Sequence, residues 1–440
     1  MSSVLHIPLR GDVMMRTLIH QTMLLSASHF FVRVLGFILR IWLSRELGAQ
    51  AIGLVELASS AQMLLITPVV SGLPAAVSRM CAKAERSRQI RILRCALALS
   101  AGVGAAVMMG AFLLRVPLSL WLGDIRTLPA LLVYLPCIPI LGASCALNGY
   151  YYGTGKPAPP ALSEMLEQIV RLLLCMRLVG LFDGFPMTLR AAVPAAAALV
   201  GETAGLLLML LLAAKVMLFT RGDGSRREII REMLGLALPL TGMKLVSSLM
   251  RTVQSAMLPV RLQISGLNAQ EAVSRLGMMS GMMMPVLSLP SFITCSLCMV
   301  AAPEMTRRQT SGQPQRRLAL RILGAALAVG LASMAVVYLA APLLAERLYR
   351  QAELLPMLRR CCALVPVMAL SQVTGGLMNG LGLQGTSLRI TLFSNLLSVL
   401  LMYVLAAQPQ LRLYGAIIAM AAAQVMTLCL SLRALHRAIS

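Results

Sequence analysis

Twelve apolar segments, each of about twenty residues or more, follow one another along this 440-residue chain, and no other feature restricts its folding as strongly. They fall at about 18–43, 53–78, 92–114, 128–152, 162–182, 191–219, 233–258, 276–303, 322–344, 358–381, 389–407 and 414–434. Roughly twenty such residues match the hydrocarbon thickness of a bilayer, and inside it only a helix satisfies its own backbone. Charged residues make up 12% of the chain, against about 25% in an average soluble domain. An ordinary soluble fold is excluded. The expected fold class is an all-α integral membrane protein with about 12 transmembrane helices.

The 39 Lys and Arg outnumber the 16 Asp and Glu, for a net charge of +23. A nucleic-acid footprint would interleave the basic face with exposed stacking aromatics. Aromatics are only 4% here and the basic residues collect between apolar spans, so no nucleic-acid partner is expected. The clusters at Arg79–Arg94, Lys215–Arg231 and Arg307–Arg321 alternate with sparsely charged connections. By the positive-inside tendency these clusters, and both termini, are expected in the cytosol of a multi-pass bacterial cytoplasmic membrane protein. The opening residues Pro8, Arg10, Asp12 and Arg16 before a long span do not read as a cleavable leader.

No catalytic constellation is expected. His6, His20, His29 and His436 are dispersed, no Walker-type glycine loop occurs, and every connection is too short for a soluble domain. The ten cysteines sit in or beside apolar segments and read as small hydrophobes, the Cys295/Cys298 pair included. Neither enzyme activity, metal nor cofactor is anticipated, and transport would be driven by a gradient.

Residues 147–156 (LNGYYYGTGK) and 378–387 (MNGLGLQGTS) follow Pro136 and Pro366, which suggests an internal repeat at an offset of about 230 that also pairs Gly155 with Gly385. Pro68 and Pro74 in the second span match Pro285 and Pro290 in the eighth. Two six-helix lobes are expected, 1–219 and 233–440, joined by a basic cytosolic linker at 220–232. Repeated halves usually hold substrate near the midplane between them, and Pro68, Pro74, Pro136, Pro285, Pro290 and Pro366 are the candidate hinge or gating positions.

Cations inside the spans are costly, about 3 kcal/mol each near a helix centre, and need a reason. Arg33 and Arg40 in the first span, and Lys244 and Arg251 in the seventh, are each seven residues apart. Seven steps return to nearly the same helix face, roughly 10 Å further along. Each half thus presents a two-cation stripe to a shared cavity, which suits a diphosphate, because guanidinium matches phosphate oxygens bidentately. These four are the candidate substrate-binding residues. Pairing with Glu56, Glu164 or Glu202 is the structural alternative, and Arg171 with Glu167 four residues before it forms a secondary group with Glu202. The methionine-rich run at 278–284 reads as core packing.

Three stretches then carry a family likeness: RVLGFILRIWLSRELGAQAIGLVEL at 33–57, SGLPAAVSRM at 71–80 and NGYYYGTGKPAPPALSEMLEQIVR at 148–171. With PVLSLPSFITCSLCMVAAPEM at 285–305, they resemble the stage V sporulation protein B family of the multidrug/oligosaccharidyl-lipid/polysaccharide exporter superfamily. The resemblance implies a twelve-helix, two-lobe transporter of lipid-linked saccharides or peptidoglycan precursors. Related peptidoglycan-precursor flippases use cavity arginines on the first helix, as Arg33 and Arg40 would be, and another in the eighth span, where Pro285 stands here. They also carry two additional C-terminal helices.

The leading expectation is a flippase for a polyprenyl-diphosphate-linked saccharide or peptidoglycan precursor, working as a monomer among membrane lipids. The alternatives are a cation-coupled multidrug antiporter of the same fold, for which intramembrane carboxylates are few, and a non-transporting envelope or spore scaffold.

Overall fold

The computed structural model describes residues 10–219, 223–311 and 313–439. The expected linker's first residues, 220–222, and the two chain ends lie outside the described residues, as do His6 and Pro8. Among the described residues the chain is helical, with no strand. The first half comprises α1 (Arg10–Val70), α2 (Leu73–Lys83), α3 (Arg86–Leu113), α4 (Arg115–Trp121), α5 (Leu128–Tyr134), α6 (Cys137–Gly153), α7 (Ala158–Leu181), α8 (Met187–Arg190) and α9 (Val193–Phe219). The second comprises α10 (Arg226–Ile264), α11 (Ala269–Leu276), α12 (Met284–Leu287), α13 (Ser291–Thr310), α14 (Arg316–Pro342), α15 (Leu354–Cys361), α16 (Leu364–Gly380), α17 (Gln384–Leu405) and α18 (Leu413–Ile439). Two π-helical segments, Gly277–Met283 and Leu343–Leu348, widen the helical path in the second half.

Among the described residues, seven helices are long and apolar enough to cross a membrane, or up to ten if each of three bent pairs is one span. That count is lower than the twelve apolar segments for two reasons. Ala27–Lys83, which takes in most of α1 and all of α2, counts as one 57-residue span, although Gly48 interrupts it at φ 78°, ψ 169°, a conformation that L side chains rarely adopt. And α7 carries Glu164, Glu167, Arg171 and Arg177.

The candidate hinge prolines sit at helix breaks. Pro136 precedes α6 at a 41° bend, Pro285 and Pro290 flank a 52° bend before α13, and Pro366 is in the first turn of α16 at a 53° bend. Pro68 and Pro74 bracket the Ser71–Gly72 interruption between α1 and α2. First-turn positions have no intrahelical acceptor for the missing N–H, so proline is tolerated there.

The halves repeat the same packing at a register of 226 to 227 residues. Gly104 on α3 meets Pro139 of α6 as Gly330 on α14 meets Pro366 of α16. Gly149 and Gly153 lie against α2 as Gly376 and Gly380 lie against α13. Gly155 and Gly382 both turn through positive φ, 69° and 75°, with Lys156 N–H donating to Tyr151 and Leu383 N–H to Met378, at 2.8 and 2.9 Å. The sequence offset of about 230 is therefore corrected: Pro139, not Pro136, matches Pro366, and Gly382, not Gly385, matches Gly155. Asn-Gly identity drew the sequence alignment, whereas backbone contact singles out the glycines that have no room for a Cβ.

Packing also differs between the two ends of the helices. At the end bearing Gly48 and Ile264, one continuous core joins both halves, with Leu54 and Leu57 beside Leu258, Val273 and Met282. Met278, Met279, Met282 and Met283 are all buried in it, as core packing predicts. Towards the Lys83 end there are two separate cores: one joins α2, α3, α6 and α9 to the start of α10, the other is built on α13, α14, α16 and the end of α18.

Candidate functional site

A cavity of about 410 Å³ lies between α1 and α10. Lys244 and Arg251 face it from α10, and hydroxyls line both walls: Ser59, Ser60 and Thr67 on one, Ser247, Ser248 and Ser255 on the other. Among the described residues neither Lys244 nor Arg251 makes a hydrogen bond or ion pair. Ser60, Thr67 and Ser247 donate their hydroxyls to backbone carbonyls, so the two uncompensated cations, on one helical face, look onto Ser248 and Ser255 as the hydroxyls left to donate to an anion.

Two further cavities adjoin it. Glu56 and Ser59 are shared with a cavity of about 250 Å³ inside the first half, which also holds Arg40, Arg171, Tyr134 and Gln168. Arg251 is shared with one of about 340 Å³ inside the second half.

The other candidate cations are already engaged. Arg40 ion-pairs with Glu56, while its Nε donates to the Gly281 carbonyl at 2.9 Å and its Nη2 to the Ser280 carbonyl at 3.2 Å. π-Helical turns hydrogen-bond five residues apart, so where the register returns to α a carbonyl is left free for another donor. The guanidinium fills that role across the two halves. Glycine on both sides lets the backbones touch: a Cβ on Gly277 would lie 2.0 Å from the Ala49 carbonyl oxygen, and one on Gly53 2.1 Å from that of Val273.

Arg171 is held between two carboxylates, 2.5 Å from Glu167 and 3.0 Å from Glu202. The i,i+4 pair expected from the sequence forms, and Glu202 on α9 joins it. His29 lies 3.4 Å from Glu164. Arg33 belongs to none of the three cavities; it stands exposed, with its guanidinium carbon 5.6 Å from the centroid of the Phe292 ring.

The structure therefore divides the four expected binding cations. Lys244 and Arg251 share a cavity, Arg40 lines the neighbouring one as half of an ion pair, and Arg33 lies apart. Charge spacing did not point to the hydroxyl walls, although the Ser59-Ser60 and Ser247-Ser248 doublets in the second and seventh spans were a signal for them.

Long broken helices around a polar, cation-bearing interior define a multi-pass membrane protein of the transporter class. The chain belongs to the polysaccharide biosynthesis protein family, whose model matches residues 18–309. It is 27% identical over 432 residues to stage V sporulation protein B of Bacillus subtilis (strain 168), covering 93% of this chain and 82% of that protein. Among solved structures, an inward-facing multidrug resistance MATE transporter of the MOP superfamily superposes with a TM-score of 0.72 at 19% identity, over 93% of this chain and 94% of that one. The lipid II flippase MurJ in an inward closed conformation gives 0.73 at 12% identity, over 94% and 87%. Family and fold are those of membrane transporters, not enzymes, and the family likeness seen in the sequence is borne out.

Proposed function

We propose that this protein moves a polyprenyl-diphosphate-linked saccharide or peptidoglycan precursor from the inner to the outer leaflet of the cytoplasmic membrane by alternating access. The observation that carries this reading is the pair of unpartnered cations, Lys244 and Arg251, in a hydroxyl-lined cavity between α1 and α10. A diphosphate supplies the missing negative charge, while the prenyl chain stays in lipid. The membership in a polysaccharide biosynthesis family and the fold shared with a lipid II flippase support the cargo class. Arg40, released from Glu56, would add a third cation, and Arg33 would meet the headgroup near Phe292.

The same reading includes a topology. Splitting the 57-residue span at Gly48, counting α7 and treating each bent pair as one span yields twelve spans. They form lobes 1–219 and 233–440 around the 220–232 linker, with both termini cytosolic. The basic Lys83 end then faces the cytosol, where the core on α13, α14, α16 and α18 is separate from the one that joins the first half to the start of α10, and this reading takes the arrangement as inward-facing. The protein acts as a monomer, and the prolines at the bends are its hinges.

The drug-antiporter alternative needs carboxylates free for Na⁺, H⁺ or a cationic drug. In the cavities described the carboxylate is that of Glu56, bound to Arg40, and beside them Glu167 and Glu202 are bound to Arg171. The balance favours an anionic cargo.

The test is leaflet transfer of a fluorescent polyprenyl-diphosphate saccharide in vesicles containing purified protein. Lys244→Ala and Arg251→Ala should each slow transfer at least tenfold, with thermal unfolding unchanged. Full transport by both folded variants would refute the reading, and a scaffold would show no transfer even as wild type.

A further inference from the structure

Beyond Arg251 the central cavity continues into the second half, and the character of its walls changes there. Ser291, Ser371, Gln372, Asn395 and Gln424 line this second space of about 340 Å³, and no Asp or Glu does. Gln372 is fixed, its Oε1 accepting from Thr294 Oγ1 at 2.7 Å and its Nε2 donating to the Ser291 carbonyl at 3.5 Å. The side-chain amides of Asn395 and Gln424 make no hydrogen bond among the described residues. The Ser371 hydroxyl is buried without a partner. Buried polar groups are nearly always satisfied, so the orphan Ser371 hydroxyl, with the half-buried amides of Asn395 and Gln424 beside it, calls for a ligand that brings both donors and acceptors.

An anion only accepts, and a metal cation beside Arg251 with no carboxylate would be repelled. Sugar hydroxyls and acetamido groups donate and accept, as the amides and hydroxyls of this wall do. The volume is within the range of pockets that enclose small ligands.

We propose that this cavity is a saccharide subsite, taking the sugar ring joined directly to the diphosphate, with Arg251 at the junction holding the phosphate. The proposal rests on the diphosphate reading above and adds where and how the sugar is recognised: by neutral amides and hydroxyls of α13, α16, α17 and α18.

The experiment measures affinity of the purified full chain in detergent for geranyl diphosphate and for geranyl diphosphate bearing glucose, galactose, N-acetylglucosamine or N-acetylgalactosamine. At least one sugar conjugate should bind about tenfold more tightly than the bare diphosphate, the gain of a small set of well-made hydrogen bonds. Asn395→Leu and Gln424→Leu keep side-chain volume and remove the amide. Each should reduce that gain to less than about twofold while the affinity for bare geranyl diphosphate, and the unfolding temperature, stay as in wild type. If bare diphosphate binds but no conjugate binds more tightly, or the leucine variants keep the full gain, the saccharide subsite is wrong and the diphosphate site stands. If bare diphosphate does not bind to wild type, or binds equally to Arg251→Ala, the diphosphate reading itself fails and takes the subsite with it.

Discussion

Arg171 shows at the scale of one residue how a charge becomes tolerable within a membrane helix. Its side chain is 23% exposed and its partners Glu167 and Glu202 are 17% and 12% exposed, so the three ions have little water to share. Removing the cation would leave two carboxylates facing each other. Arg171→Met should therefore cost about 3–5 kcal/mol, the range for breaking a buried ion pair from one side, read as a large drop in thermal unfolding temperature in detergent. Adding Glu167→Gln and Glu202→Gln should restore most of it. Arg251 is the opposite case, a cation with no partner, and its geometry as well as its charge is at stake. Arg251→Lys keeps the charge but loses the planar fork, so it should weaken geranyl diphosphate binding several-fold, less than the tenfold or more expected of Arg251→Ala. Equal affinity of the lysine variant and wild type, by titration, would show that charge alone is used.

At the scale of elements, the contact between the Gly48 region of α1 and the π-helical segment Gly277–Met283 holds the two halves together. Backbone touches backbone there, and neither side can retreat as a side chain would. Gly277→Ala should cost roughly 1–3 kcal/mol, the usual cost of overpacking, and spin labels on α1 and α11 should move apart. Gly102→Ala is the control: a Cβ there meets nothing within 4 Å, and glycine to alanine inside a helix is otherwise stabilising by about 0.5–1 kcal/mol. A Gly277→Ala variant that unfolds no earlier than the control would remove this contact from the account. The Asn-Gly pairs alone do not set the repeat register. Asn148-Gly149 and Asn379-Gly380 are alike as letters, but α6 and α16 turn Gly149 and Gly376 towards their neighbours α2 and α13.

For the whole molecule, the joined core at one end and the separate cores at the other make one statement about orientation testable. Cys429 is exposed and Cys145, Cys295 and Cys298 are half-buried, so a variant with all four replaced by serine gives the background for single reporters. Asp223→Cys, on the side of the basic clusters, should react with a membrane-impermeant maleimide only when the cytosolic face is accessible. Asp183→Cys should react in intact cells. The reverse pattern would invert the proposed topology, and labelling of both from one side would break the twelve-span path.

What the sequence determined by itself was what depends on neighbouring residues: span length, the loop-to-loop rhythm of basic residues, the seven-residue spacing of Arg33 with Arg40 and Lys244 with Arg251, and the Glu167–Arg171 pair. Hydrophobic length and helical periodicity are local properties, readable without knowing where a helix packs. Only the tertiary structure decided which cations remain free. Arg40 finds its carbonyl partners 241 and 240 residues away, Arg171 gains Glu202 from another helix, and the hydroxyl and amide walls assemble from helices far apart in the chain. Whether a buried charge is cancelled or left to bind a ligand is set by what packs against it, and that packing is a property of the folded whole.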